Sequence, residues 1–512
     1  MHLSHWATAQ PRRPAVVMGR SGEVVTYRQL DEQSTRLARF LRELGLRRGD
    51  HIALLMENHR AFFEVVWAAL RSGLHVTPVN RHLTADEVTY VLADSEAKVI
   101  VTSSALAEVT TAIDWATLPS VRARLMVGGT EPGFDDYDRA LTACSPEPLS
   151  DESSGGFMLY TSGTTGRPKG VLRPLPDRLP SDPDERTVGF AMAYGVGDDA
   201  VYLSPAPLYH AAPLSFTTSV QRLGGTVVVM EKFDALAALR LIETHGVTNS
   251  QWVPTMFVRM LALPEHERLA FDLSSHQIAV HAGAPCPVDV KRRMIEWWEP
   301  ILLEYYGGTD GGGSTAINSA EWLAHPGSVG RARGNTVRIM SDDGVEVPRG
   351  EVGTVYFAGR PDFVYKGDAD KTAASRLPGG LSTMGDCGHL DDDGWLYLSD
   401  RKDFMIISGG VNISPREIED VLISHPAVLD VAVFGVPNAE FGEEVKASVQ
   451  LVSDHEGSHA LADELAAHCR RQLAAFKCPR SFDFVEELPR TPTGKLLKRV
   501  LRDPYWQGAT PA

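Results

Sequence analysis

The alternation of short apolar runs with helical patterns across residues 26–263 constrains this chain more than any other feature. Residues 51–56 and 99–102 are apolar-rich runs of strand length, and residues 64–71, rich in Ala and Val with one Trp, carry a helical pattern between them. Residues 226–230 and 277–281 continue the theme as strands. Repeated β-α alternation predicts mixed or parallel sheets covered by helices, because a strand buried on both faces needs a layer on each. With 512 residues the chain exceeds what one hydrophobic core holds, so at least two domains are expected.

The pattern changes character near residues 400–403. Before it, residues 389–399 read as a hairpin turning through Asp391-Asp392-Asp393-Gly394. After it, Ser414-Pro415-Arg416-Glu417 has Ser at a helix N-cap, Pro at the first helical position and Glu three residues beyond the cap, which predicts a capping box. That helix is expected to run to about His425, where Pro426 stops it. Residues 428–434 and 445–452 read as strands and 460–475 as an amphipathic helix. The sequence therefore predicts an α/β protein with a large N-terminal domain of mixed β-sheets covered by helices (1–399), a hinge (400–403) and a small α+β domain (404–512). Residues 174–185, with four prolines and several acids, read as an exposed loop.

Bulk properties exclude several classes. A net charge of −16 argues against bulk binding to nucleic acid or to an anionic membrane surface, so an anionic ligand has to be held by local donors. No apolar run approaches the roughly 18 residues that span a bilayer, and residues 1–14 lack the apolar core of a signal peptide. Five scattered cysteines (Cys144, Cys286, Cys387, Cys469, Cys478) without metal-ligand spacing read as reduced thiols of a cytoplasmic protein.

The most informative stretch is Tyr160-Thr161-Ser162-Gly163-Thr164-Thr165-Gly166-Arg167-Pro168-Lys169-Gly170. Glycines let backbone N–H groups approach a phosphate chain, hydroxyls donate further hydrogen bonds, and Lys169 supplies positive charge. The Gly-Lys-Ser/Thr order of a Walker loop is absent. The string resembles the phosphate-loop signature of the adenylate-forming superfamily of acyl-CoA synthetases, luciferases and peptide-synthetase adenylation domains. Further motifs of that family follow in order over residues 160–495. Pro207-Leu208-Tyr209-His210 matches the block lining the acyl pocket, which implies a place for His210 near the carboxylate and phosphate. Ala282-Gly283-Ala284-Pro285 and Tyr306-Gly307-Gly308-Thr309-Asp310 resemble the two segments that sandwich adenine and meet the α-phosphate. Asp386 and Arg401 fit the ribose-binding pair, and Lys495 in Pro492-Thr493-Gly494-Lys495 fits the lysine used in adenylation.

The resemblance, in its acyl-CoA ligase branch, implies two half-reactions. A carboxylate resists nucleophilic attack because of its own charge; coupling it to AMP supplies a leaving group and expels pyrophosphate. Charge develops on several oxygens as the α-phosphate is attacked, so fixed donors and cations carry the step. Lys495 would bridge carboxylate and phosphate, Thr309 would donate, and Asp310 would hold Mg²⁺. ATP (leaving as AMP), Mg²⁺ and coenzyme A are the implied cofactors, and the acid or its acyl-AMP the small-molecule partner. Gly409 and Gly410 fit the segment along which pantetheine lies, while Lys477 and Arg480 would meet the phosphates of CoA. Asp403 takes the hinge position about which the mobile small domain rotates between half-reactions. Homodimers are common in the family.

Two departures bear on function. The family normally has glutamate where this chain has Asp310, one methylene shorter. This predicts a complete ligase, or alternatively an enzyme that only thioesterifies a supplied acyl-AMP. Gly307, Gly308, Gly311, Gly312 and Gly313 surround Thr309-Asp310 in what the family uses as part of the acyl-pocket wall. Their missing side chains make room for a bulky hydrophobic acid such as a steroid or terpenoid, or serve a tight turn. Other readings are transfer to a carrier protein, a luciferase-like oxygenase, and a degenerate nucleotide-binding protein. Preference for a carrier thiol, oxygen consumption, and loss of Lys169, Asp386, Arg401 or Lys495 would mark them respectively, and all four of those residues are present.

Overall fold

The computed structural model describes residues 2–161, 168–182, 184–308, 312–359, 363–401, 404–408, 411–438, 440–491 and 496–507, with the side chains of Thr161, Asp400, Arg401 and Asn412 left aside. Contacts divide the chain into two compact units, one of residues 1–251, 269–280 and 362–374, the other of 252–268, 281–361 and 375–512.

The first unit is built on the predicted β-α alternation. A six-stranded sheet runs Asp135–Asp136, Ala123–Val127, Val99–Ser103, His51–Leu55, His75–Val79, Gly156–Phe157, every pair parallel. All five residues of Val99–Ser103 and of His51–Leu55 are buried, so these strands read in sequence as unbroken runs and not as alternation. The helix Arg60–Arg71 between two of them is buried at every position from 61 to 71. It begins four residues before the sequence reading placed it, because the His59 ring accepts from the N–H of Ala61 and caps it. Two capping boxes that the reading passed over, Thr26 with Gln29 and Thr84 with Glu87, start the helices Tyr27–Glu43 and Ala85–Ser95. A second parallel run pairs Asn249–Trp252 with Val201–Ser204, then Thr226–Val229, then Pro14–Met18, with Val24–Thr26 antiparallel at the edge. A small antiparallel sheet joins Leu159–Thr161, Lys169–Leu172 and Val364–Tyr365.

The second unit carries an antiparallel trio, Leu302–Gly307, Ser314–Asn318 and Arg331–Ala332. Another sheet contains Thr336–Met340, Gly353–Ala358, Leu381–Leu390 and Leu396–Arg401. The predicted hairpin through Asp391 is its last connection. Beyond residue 404, Ile406–Ser408, Val411–Ile413, Val428–Asn438, Gly442–Leu451 and Ser481–Val485 form a sheet packed under Pro415–Leu422 and His459–Arg470 around an apolar core of Ile418, Leu422, Val433, Val449 and Leu465.

Here the sequence reading needs correction. Pro415 does open its helix, but Ser414 makes no capping bond: its hydroxyl donates to the carbonyl of Ser399. Glu417, expected to complete the box, accepts from Lys477 instead at 2.8 and 2.7 Å. The helix ends at Leu422, not His425, as residues 424 and 425 tighten into i→i−3 bonds ahead of Pro426. The later helix ends at Arg470, and 475–477 form a separate short turn. The hairpin strands are longer than read, meeting at Asn438↔Gly442. All five cysteines are buried thiols without a disulfide. Among the described residues no helix is long and apolar enough to cross a membrane.

Candidate active site

The glycine-rich string is the connection of a hairpin. Lys169 faces Thr161, Gly170 faces Tyr160 and Val171 faces Leu159 across antiparallel strands. Ser162, Gly163, Thr164 and Thr165 lie outside the described residues, as does the side chain of Thr161. Two paired strands therefore flank the string. Tyr160 is anchored by donating to Asp94 at 2.6 Å. A side chain at Gly170 would displace the terminal methyl of Met158. Lys169 pairs with Asp368 at 3.0 Å, and that hydrogen bond holds its ammonium above the usual lysine range. Asp368, which sequence reasoning missed, also accepts from the N–H of Lys371 at the start of the helix Ala369–Ala374.

His210 sits just before the helix Ala211–Leu223, at the end of a loop fixed by Asn58. Asn58 accepts from the N–H of Leu208 at 2.8 Å and donates to the carbonyls of Ala206 and Met230 at 3.1 and 2.7 Å. It is the second residue the sequence did not flag; only its burial and its three long-range bonds reveal it. The ring of His210 lies 4.4 Å from that of Tyr209, and among the described residues neither its Nε2 nor the Tyr209 hydroxyl has a hydrogen-bond partner. Burial, then the neighbouring His82, push the imidazole down to about 4, so it is neutral at neutral pH. A neutral ring with an unengaged nitrogen is able to accept from, or donate to, a bound oxygen.

In the second unit, residues 282–285 follow the strand Ile278–His281. Gly283 takes φ +88, a conformation that favours glycine, and it and Pro285 are exposed while Ala284 is half-buried. Tyr306 and Gly307 end the strand Leu302–Gly307, opposite Thr315 and Ser314, with Gly308 exposed beyond them. The hydroxyl of Tyr306 donates to Asp386 at 2.7 Å. Asp386 pairs across its sheet with Arg401 beside a register shift, and Gly385 before it adopts φ +83. The structure thus brings together Tyr306, Asp386 and the backbone of Arg401, three of the residues assigned to the nucleoside. Thr309, Asp310 and Gly311 lie outside the described residues, and Gly312 is half-buried.

The glycine cluster is partly accounted for by packing. A Cβ on Gly313 would come within 2.5 Å of the Phe357 ring and 2.8 Å of Asn335, and one on Gly307 within 3.2 Å of Ser314. Protein atoms already occupy the space beside Gly313 and lie close to that beside Gly307.

Of the residues assigned to CoA, Gly409 and Gly410 lie outside the described residues, as do Asp403 and Lys495. Lys477 is held by the carboxylate of Glu417, and Arg480 rests over the ring of Phe441 at 4.7 Å. Both cations are already engaged within their own domain.

The α/β scaffold thus carries a hairpin whose strands flank the glycine-rich string, a buried neutral histidine and, separately, a tyrosine-aspartate pair. Comparison with known proteins takes the assignment further. The model of the AMP-binding enzyme family matches residues 3–367, and that of the AMP-binding enzyme C-terminal domain matches 417–495. The long-chain-fatty-acid–CoA ligase FadD13 of Mycobacterium tuberculosis is 33% identical over 516 residues, 98% of this chain and 97% of that protein. Feruloyl-CoA synthase of an Amycolatopsis species is 34% identical over 507 residues, 98% of each. The crystal structure of ATP-bound MatB from Rhodopseudomonas palustris superposes with a TM-score of 0.82 at 27% identity, covering 99% of both chains. The chain belongs to the AMP-binding enzyme family, in the acyl-CoA ligase branch of the adenylate-forming superfamily, and is an AMP-forming acid-thiol ligase.

Proposed function

We propose that this enzyme converts a bulky, hydrophobic carboxylic acid to its CoA thioester through an enzyme-bound acyl-AMP. The observation that carries the reading is the Tyr306–Asp386 hydrogen bond opposite Arg401, which presents an aromatic face and a carboxylate together, as a nucleoside requires. The phosphates meet the string 161–165 and Lys169, which must leave Asp368 to reach them. His210 offers its Nε2 to the acid's carboxylate, Lys495 neutralises the charge that develops as this carboxylate attacks the α-phosphate, and Thr309 donates a hydrogen bond to it. Mg²⁺ is held by one or two carboxylates together with substrate phosphates as a rule, and a single Asp310 beside a nucleotide fits that donor set. When bound, the ion supplies positive charge to the departing pyrophosphate. Rotation of residues 404–512 about Asp403 then withdraws Lys495 and brings Gly409 and Gly410 to line the path of pantetheine. Unbonded cysteines support a reducing, cytoplasmic setting.

The named relatives use a long-chain fatty acid and ferulate, which supports an apolar acid without choosing among them. A panel of fatty, aromatic and polycyclic acids with ATP and Mg²⁺, followed for pyrophosphate without and with CoA, tests the reading, in parallel with synthetic acyl-AMPs plus CoA. Pyrophosphate release coupled to thioester supports the full ligase. Thioester from acyl-AMP alone would restrict the enzyme to the second half-reaction and point to Asp310. Turnover with a phosphopantetheinyl carrier in place of CoA would replace the acceptor.

A further inference from the structure

Charged side chains are seldom fully buried unless paired, and the second unit holds such a pair against the segments assigned to adenine. Lys291, on the helix Val288–Trp298, is 0% exposed and donates to Glu304 at 2.5 Å; Glu304, on the strand Leu302–Gly307, is 5% exposed. His281, also 0% exposed, brings Nε2 to 3.8 Å from the same carboxylate oxygen. Aromatic rings enclose them: the Lys291 ammonium lies 4.9 Å from the centre of the Trp322 ring, and Phe257 packs edge-on against His281 at 5.4 Å. Burial alone would raise the Glu304 carboxyl; the Lys291 ammonium that donates to it offsets this and holds Glu304 below the usual carboxylate range. Burial keeps His281 neutral, at about 3.

Their chain positions give the cluster its meaning. His281 is the last residue before 282–285, Lys291 lies on the helix that begins three residues after that segment, and Glu304 is two residues before Tyr306. Three side chains thus join the strand before the adenine segment, the helix after it, and the strand that carries the stacking tyrosine. Apolar residues of similar volume hold such elements together at equal or lower cost in stability than a desolvated ion pair. What an apolar contact lacks is direction: a short charge-assisted hydrogen bond fixes the offset of helix against strand.

We propose that Lys291 and Glu304 are positioning residues that fix the segment 282–285 relative to Tyr306, so that the adenine slot is formed before nucleotide arrives. This rests on the reading of those two segments as the adenine site.

The test replaces the pair by Lys291→Met/Glu304→Leu, since loss of one partner alone would strand a buried charge. Thermal unfolding and steady-state kinetics are measured on the full chain. The expected result is an unfolding temperature at or above wild type with KM for ATP raised about tenfold, kcat within about twofold, and KM for acid and CoA unchanged; misplacements of an ångström have effects of this size or larger. Wild-type KM for ATP in a folded double variant overturns the proposal, because packing alone would then suffice. If the double variant does not fold, Lys291→Leu/Glu304→Met, which removes both charges together with the volumes exchanged, takes its place, with KM for ATP expected to rise and a wild-type value again overturning the idea. Tyr306→Ala, measured alongside, separates the two levels. If it leaves KM for ATP unchanged, the adenine reading falls and the proposal with it; if it raises KM while the pair variant does not, the proposal alone falls.

Discussion

Tyr306→Phe removes one hydroxyl and leaves the ring. In the native chain that hydroxyl donates to Asp386 Oδ2 at 2.7 Å, and both residues are half-buried. A hydrogen bond to a charged group contributes about 1.5–3 kcal/mol when well shielded, and water replaces part of it at a half-exposed site, so about 1 kcal/mol is expected to remain. With 1.4 kcal/mol equal to a factor of ten, this corresponds to a roughly fivefold weaker hold on the nucleotide. The phenyl ring still stacks, so the loss falls on the orientation of the carboxylate and hence on the ribose. Pyrophosphate release as a function of ATP concentration should show KM raised roughly fivefold with kcat nearly unchanged. The same titration with 2′-deoxy-ATP should show a smaller ratio between variant and wild type, because that nucleotide lacks one of the hydroxyls Asp386 is assigned to bind. Equal ratios for the two nucleotides, or a fall in kcat at constant KM, would refute the reasoning.

Three more outcomes are expected. Asn58→Ala should destabilise the protein by about 2–3 kcal/mol or more, since it leaves the N–H of Leu208 and two carbonyls short of a buried partner, and should slow acid-dependent turnover through movement of His210; a chemical-unfolding midpoint equal to wild type contradicts the clamp. Lys495→Ala should cut pyrophosphate release by about 100-fold or more while thioester formation from supplied acyl-AMP persists; parallel loss of both activities would remove Lys495 from a half-reaction-specific role. Stability should fall as pH drops from about 6.5 to 5: His276 and His281 protonate only at about 3 when folded but near 6.5 when unfolded, so the unfolded chain binds more protons in that window. Each contributes a loss of about 2 kcal/mol at pH 5 and nothing above pH 7, and an unfolding midpoint flat between pH 7.5 and 5 would contradict it.

How much of this was legible follows from where each residue finds its partner. Strands buried on both faces, such as Val99–Ser103, show as apolar runs because their burial is a property of each residue in turn. The string 160–170 is legible from its residue types alone, since its reading needs no remote partner. The capping box at Ser414 failed because two distant groups, the Ser399 carbonyl and Lys477, compete for the residues that local spacing assigns to each other. Asn58, Asp368, Lys291 and Glu304 could not be read at all. A lone polar residue in a helix, strand or loop has the sequence signature of a solvated surface, and only the partners at 2.5–3.1 Å, contributed by other segments, distinguish these four. Gly313 shows the converse: read as space for substrate or as part of a tight turn, it has the Phe357 ring against it.

The passage of the acid through an acyl-AMP is tested most directly by isotope transfer. An acid labelled with ¹⁸O at both carboxylate oxygens, incubated with the enzyme, ATP, Mg²⁺ and CoA, should give AMP carrying one ¹⁸O and thioester retaining the other, with pyrophosphate unlabelled. Label in inorganic phosphate with unlabelled ADP, as an acyl-phosphate route would give, or AMP free of label, would contradict the account.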